Sequence, residues 1–310
     1  MTAGRRIWVA NAPVSYGVFE MTAGSRGLPA ATEVLDDVRW TGHEGIDLGP
    51  PGYLGQGEEL ARALARRGLG LAGGWIQLPL SDDARLEQGL EEMRASLAAL
   101  RAAVAVHAPN GRPPPRPTLA DAGSPERQER PGAAAGDVTG LGRRGWRTFA
   151  RNLAAVAQEC RAAGLEPTFH HHAGTYVESV AEIDTFLEVS DVGLCLDNGH
   201  LLLGGGDPLE ALDRWRDRIN HVHVKDVDCG RVRDLLHQGA GMRELWEAGV
   251  FCELGTGDAR AEDFVAELLD CGYRGWLVVE QDRILAPGQT HAEAGAAQRH
   301  NRSFLARVGI

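Results

Sequence analysis

Lysine is almost missing from this chain. Of 32 lysine and arginine residues in 310, Lys225 is the single lysine. Arginine is bulky and stays charged, whereas lysine is a compact donor whose pKa follows its surroundings; a lone lysine at the end of an apolar run therefore reads as functional. Positive charge is also short overall, 32 Lys and Arg against 43 Asp and Glu, for a formal net charge of -11. Without clustered basic residues to neutralise phosphates, the composition argues against nucleic acid as a substrate. The five cysteines are odd in number and show no C-x-x-C spacing, which argues against a disulfide framework or zinc knuckle and for a reduced, cytoplasmic setting. No apolar run approaches the ~20 residues of a membrane span, and the one near the N-terminus is too short and broken for a signal peptide. No G-x-G-x-x-G follows the first apolar run, so a doubly wound dinucleotide-binding sheet lacks its fingerprint. Gly204, Gly205 and Gly206 lead into Asp207-Pro208 and read as turn chemistry.

What is present centres on residues 191–226. Two short apolar runs, 192–196 and 219–224, each lead into metal-competent side chains. Asp197, Asn198 and His200 follow the first; His221, His223, Lys225 and Asp226 belong to or follow the second. Asp207-Pro208 opens a helical pattern between them, with Asp at the N-cap and Pro at the first helical position. A strand–helix–strand unit with its chemistry at the strands' carboxyl ends is the arrangement of α/β active sites.

Along the chain, strand patterns at 7–13, 45–49, 69–78, 104–108, 166–172, 192–196, 219–224 and 276–282 alternate with helical ones. Eight alternations predict an α/β fold of the (β/α)8 TIM-barrel type, with residues 1–310 as one domain. The Arg-, Pro-, Gly- and Ala-rich stretch at about 110–142 has no periodicity and reads as a mobile insertion.

In such a barrel the carboxyl ends of the strands converge. The converging set is His170, His171 and His172 on the fifth strand, Asp197 and His200 on the sixth, His221 and His223 on the seventh and Glu280 on the eighth. Alternation puts His170 with His172 on one face, His221 with His223 and Lys225, and Glu280 with Asp282. A mixed imidazole and carboxylate cluster suits Mn2+, Co2+, Zn2+ or Fe2+ better than Ca2+. Glu20 and Asp47 are candidates to hydrogen-bond a substrate, Trp75 and Tyr16 to wall it, and Asp258 to cap the helix after it.

The motifs Asp197-x-x-His200, His221-Val-His223-x-Lys225-Asp226 and Val279-Glu280 resemble those of the xylose isomerase-like TIM-barrel superfamily of sugar isomerases, epimerases and dehydratases. The stretches 11–20, 45–50 and 170–178 are most similar to the inosose dehydratase group, and the resemblance covers nearly the whole chain. It implies one divalent metal, Mn2+ or Co2+ first, with Zn2+, Fe2+ or Mg2+ as alternatives, held by Glu, Asp, His and Glu from strands five to eight. Three of these carry over as Asp197, His223 and Glu280. The fifth-strand glutamate does not: its place falls on His170, with water or Glu178 reaching back as alternatives. The implied activity is proton removal α to a carbonyl of a keto-cyclitol or ketose, with dehydration of an inosose-like substrate favoured. A sugar isomerase or epimerase is the alternative, then a non-catalytic or partner-dependent barrel. Glu280 or a fifth-strand histidine would be the base and His172 or His200 the acid. Lys225 would stand near the enolate, and Asp226 would bind substrate or orient His200 or Lys225. The resemblance also admits a homo-oligomer.

Overall fold

A computed structural model of the chain describes residues 7–107, 111–132, 140–286 and 288–310. Nine strands form one parallel sheet: β1 (Ile7–Asn11), β2 (Gly45–Ile46), β3 (Gly70–Leu71), β4 (Gly73–Leu78), β5 (Arg116–Asp121), β6 (Thr168–His170), β7 (Gly193–Asp197), β8 (Ile219–Val224) and, last in the chain, Gly275–Val279, which lies between β1 and β8. Two further short strands, β9 (Asp226–Val227) and β10 (Phe251–Cys252), pair antiparallel beside it; Gly275–Val279 is therefore β11. The row ends on β3 and β4, which are neighbours in sequence, separated by Ala72 alone. Around that residue the ring closes. Ala72 N donates to Ile46 O at 2.9 Å and Leu48 N to Gly73 O at 3.0 Å on one side, while Arg116 N donates to Ala72 O at 3.0 Å on the other. The expected third strand at 69–78 is thus one strand with an offset, and the barrel has eight staves.

The expected fourth strand is corrected. Residues 104–107 are the last turn of the helix Asp83–His107, and Ala108 lies outside the described residues. Met93, Leu97, Leu100 and Ala103 are buried at helical spacing, and the alanine-rich run has a helix propensity that outweighs the β-branched Val104. Val104 itself is exposed. The true fourth stave, β5, lies inside the stretch read as a mobile insertion. It is followed by a short helix, Pro125–Glu129, capped by Ser124 Oγ accepting from Arg127 N. The remainder of that stretch at 108–110 and 133–139 lies outside the described residues. His107 links the two parts: its Nε2 accepts from Leu71 N at 2.9 Å, and its Nδ1 donates to Pro113 O at 2.6 Å.

Helices surround the barrel and bury their apolar faces on it. Between strand and helix, Phe149 meets Phe169 edge-on with centroids 5.6 Å apart, and Phe169 stacks on Phe186 at 4.4 Å. The helix Pro208–Trp215 begins as expected, Asp207 Oδ1 accepting from Leu209 N and Glu210 N. Inside the ring, alternation sorts each stave into two faces. On β11 Trp276 and Val278 face inward at the amino end, and Glu280 and Asp282 follow on the same parity. Trp276 packs with Ala10, Ala12 and Ala72 and fills the bottom of the barrel. A Cβ on Gly45 would stand 2.7 Å from its ring and one on Gly70 3.0 Å, so two staves carry glycine where the indole lies.

Candidate active site

A cavity of about 440 Å³ opens at the carboxyl ends of the staves, lined among others by Glu20, Asp47, Trp75, His170, His172, His223, Lys225, Glu280 and Asp282. Its floor is a buried cluster in which one donor atom each of His170, Asp197, His223 and Glu280 lies within 4.8 Å of the others. His170 Nε2 is 3.2 Å from His223 Nδ1 and 3.4 Å from Asp197 Oδ2. His223 Nδ1 is 3.0 Å from Glu280 Oε2 and 3.7 Å from Asp197 Oδ2.

Local structure explains why these atoms face each other. Asp197 ends β7 and caps the helix Asn198–Leu203: Oδ1 accepts from His200 N at 2.9 Å, leaving Oδ2 for the cluster, where it makes no hydrogen bond. Asn198 pairs its amide with the peptide groups of Lys225, giving a proton to Lys225 O and taking one from Lys225 N, both at 2.8 Å. That fixes the lysine's entry angle. Nζ then stands 2.7 Å from Glu280 Oε2, 2.7 and 2.8 Å from the two Asp282 oxygens, and 3.3 Å from both Asp197 Oδ2 and His200 Nε2.

The electrostatics follow from burial and these contacts. Burial alone would strip the proton from Lys225, but Asp197, Asp282 and Glu280 outweigh it and hold the ammonium well above its usual range. Asp197 stays far below the carboxylate range despite burial, through Lys225, His200 and His170. Glu280 does likewise through His223 and Lys225. Burial raises Asp282 to about 6 and Asp47 to about 7. Burial, with His170 and Lys225, lowers His172 to about 3; burial and His172 drive His200 down. Both are neutral imidazoles near pH 7. His172 Nδ1 is 2.7 Å from Ala173 O, an acceptor only, so Nδ1 carries the proton and Nε2 the lone pair. Nε2 therefore meets the cavity as a hydrogen-bond acceptor, and the burial that keeps the ring neutral also makes it a weak base.

The expected residues divide as follows. His170, Asp197, His223 and Glu280 are brought together. Lys225, His172, Glu20, Asp47 and Trp75 line the same cavity, with Trp75 edge-on to His170 and His172 at 5.3 and 5.2 Å. His200 is buried behind Asp282, its Nε2 3.3 Å from Asp282 Oδ2, and its ring 3.6 Å from that of His172. Asp226 is corrected: it does not line the cavity and orients neither His200 nor Lys225. Strand parity turns it away from Lys225. Its Oδ2 accepts from Gly255 N and Gly257 N, and its Oδ1 from Val227 N and Ala259 N. Glu178 is also engaged elsewhere, ion-paired with the buried Arg127 at 3.3 Å and accepting from Gly132 N and Gly174 N. Tyr16 is buried in the core, His171 faces outward as acceptor for Asp197 N, and Asp258 accepts from Cys229 N rather than capping the next helix.

Asp282 is the main residue that sequence reading missed as a site member, although its shared parity with Glu280 marked it. Gln77, Gln128, Thr118, Phe19 and Trp246 also line the cavity and carried no signal beyond their positions near staves or loops.

Residues 35–306 match the family described as xylose isomerase-like TIM barrel. The rhizopine catabolism protein MocC of Rhizobium meliloti is 31% identical over 280 residues, 89% of this chain and 81% of that protein. The inosose dehydratase of Geobacillus kaustophilus is 36% identical over 153 residues, so the match spans 48% of this chain and only half of that enzyme's length. Among solved structures, an L-ribulose 3-epimerase superposes with a TM-score of 0.66 at 20% identity, covering 97% of this chain and 93% of its own. A probable 3-DHS dehydratase from Bacillus anthracis does so with 0.68 at 15% identity, covering 96% and 98%. These two likenesses bear on the fold.

Proposed function

The chain belongs to the xylose isomerase-like TIM-barrel family, and from that premise we propose that it is a divalent-metal-dependent lyase that dehydrates an inosose-like keto-cyclitol. The observation that carries this reading is the four-residue floor of the cavity. Two imidazole nitrogens face two carboxylates there, and Asp197 Oδ2 makes no hydrogen bond, its nearest charge being the Lys225 ammonium at 3.3 Å. Against desolvation, the neighbouring Cys195 and Glu280 raise the buried His223 ring above its usual range, and Glu280 Oε2 stands 3.0 Å from His223 Nδ1. Such a donor set fits Mn2+ or Co2+, and also Zn2+ or Fe2+. His170 stands where relatives are expected to carry a carboxylate.

A bound divalent ion would polarise the substrate carbonyl and lower the barrier to proton loss at the adjacent carbon by several kcal/mol. The chain's own groups supply the rest. Glu280, or a fifth-strand imidazole such as His172 with its Nε2 lone pair left free by Ala173 O, takes the proton. Asp282, tied to Lys225 and His200, is placed to pass a proton to the departing hydroxyl, and the Lys225 ammonium steadies negative charge on the substrate oxygens. A positioned acid or base of this kind gives about 10²–10⁴-fold. With an imidazole in place of one of the two carboxylates, Glu280 alone remains of that pair. That suits elimination better than two-base epimerisation.

Lys225 is the one lysine or arginine lining the cavity among the described residues, and three carboxylates already claim it. No arginine joins it in the lining, which favours an unphosphorylated substrate. The test is turnover of 2-keto-myo-inositol followed in the ultraviolet by metal-loaded protein. Appearance of an unsaturated or diketo chromophore with loss of one water in the mass spectrum is the expected result. A product of unchanged mass and no chromophore would replace dehydration by isomerisation or epimerisation.

A further inference from the structure

The ammonium of Lys225 has three N–H groups to give, yet five acceptor atoms surround it. These are Glu280 Oε2, both Asp282 oxygens, Asp197 Oδ2 and His200 Nε2, all between 2.7 and 3.3 Å. Such a surplus of donor atoms around one charge is the surrounding of a metal ion rather than of a hydrogen-bonded amine. Two of these atoms serve a second position as well. Asp197 Oδ2 also faces His170 at 3.4 Å, and Glu280 Oε2 also faces His223 at 3.0 Å. Shared carboxylate oxygens between two adjacent cation positions are the layout of two-metal centres, whose ions lie about 3.5–4 Å apart. On the lysine's side, His172, His200 and Asp282 converge as a further ligand-competent group within 4.8 Å.

The geometry points to Lys225 as a built-in cation: its ammonium fills the second of two adjacent cation positions, so the centre takes one metal ion per chain and admits no second. This rests on the metal reading above. It also gives the chain's single lysine a reason: a guanidinium is planar and broad, whereas the cage closes on a point charge.

The test compares wild type with Lys225→Met. Each is saturated with Mn2+ and freed of excess, then read by elemental analysis and electron paramagnetic resonance. Wild type is expected to hold one ion per chain with the spectrum of isolated Mn2+. Lys225→Met is expected to hold two, with the spectrum of a spin-coupled pair, and adding Asp282→Asn should return it to one. A Lys225→Met chain that folds only when Mn2+ is supplied supports the proposal. One ion in both proteins, two in wild type, or a variant that does not fold at any Mn2+ concentration overturns it. A wild type that takes up no ion overturns the metal reading itself, which keeps the two failures apart.

Discussion

Asn198 and Lys225 hold each other by a reciprocal pair of 2.8 Å hydrogen bonds, side-chain amide against peptide. The amide does the work of a missing strand partner just where β8 ends. Asn198→Ala leaves a buried N–H and a buried C=O unpaired, at roughly 1–3 kcal/mol each. Urea unfolding is expected to show that loss. The effect on turnover should exceed the effect on stability, because the lysine's approach to Glu280 and Asp282 shifts. Retention of full activity in a folded variant would mean that the pairing does not position Lys225.

Glu178 separates structural from ligating carboxylates. It is buried with Arg127 in a network that includes Glu182. Breaking one side of a buried ion pair costs about 3–5 kcal/mol. Glu178→Gln, which keeps the acceptor but loses the charge, should therefore lower stability while leaving metal content unchanged. A loss of metal in this variant would restore Glu178 as a candidate ligand.

His170→Ala should behave in the opposite way. Losing even an outer partner of a metal ligand costs about 10–100-fold in affinity, so removal of a donor atom is expected to cost more than ~100-fold. Mn2+ titration by calorimetry reads this directly. Undiminished affinity would mean that His170 is only a neighbour of the site.

Asp121 gives a pH signature away from the cluster. Its carboxyl is buried at the end of β5, accepts from Gly123 N through Oδ1 at 2.7 Å, and leaves Oδ2 unpartnered. Burial raises it to about 6 from an ordinary 3.8. Between these values the folded state binds a proton that the unfolded state has released. The group's contribution is therefore full below pH ~4 and is lost as pH rises through ~6, by roughly 3 kcal/mol in all. Asp121→Asn removes the dependence, so its stability relative to wild type should improve from pH 4 to pH 8 in urea titrations. A constant difference across that range would contradict the assignment.

Much of the site was readable because β-alternation is strict. His221, His223 and Lys225 share a face, as do Glu280 and Asp282; His223, Lys225, Glu280 and Asp282 line the cavity, while His221 lies deeper and does not. The same rule, applied one residue further, turns Asp226 away, and its loop-gathering role follows. Stave four was unreadable for a definite reason. Arg116–Asp121 is buried on both faces from Pro117 onward, so it has no polar alternation to show, and it contains a proline, which argues against a central strand. The alanine-rich run before it looked apolar and short enough to be that strand. The Asn198 pairing lies beyond sequence reading altogether, since it depends on backbone groups 27 residues away.

Trp276 turns the barrel into a blind well. With the indole stopping the lower end and Gly45 and Gly70 shaped to it, the cavity formed by the described residues opens at its rim, where exposed Glu20 and Met21 stand. Arrivals and departures share that opening.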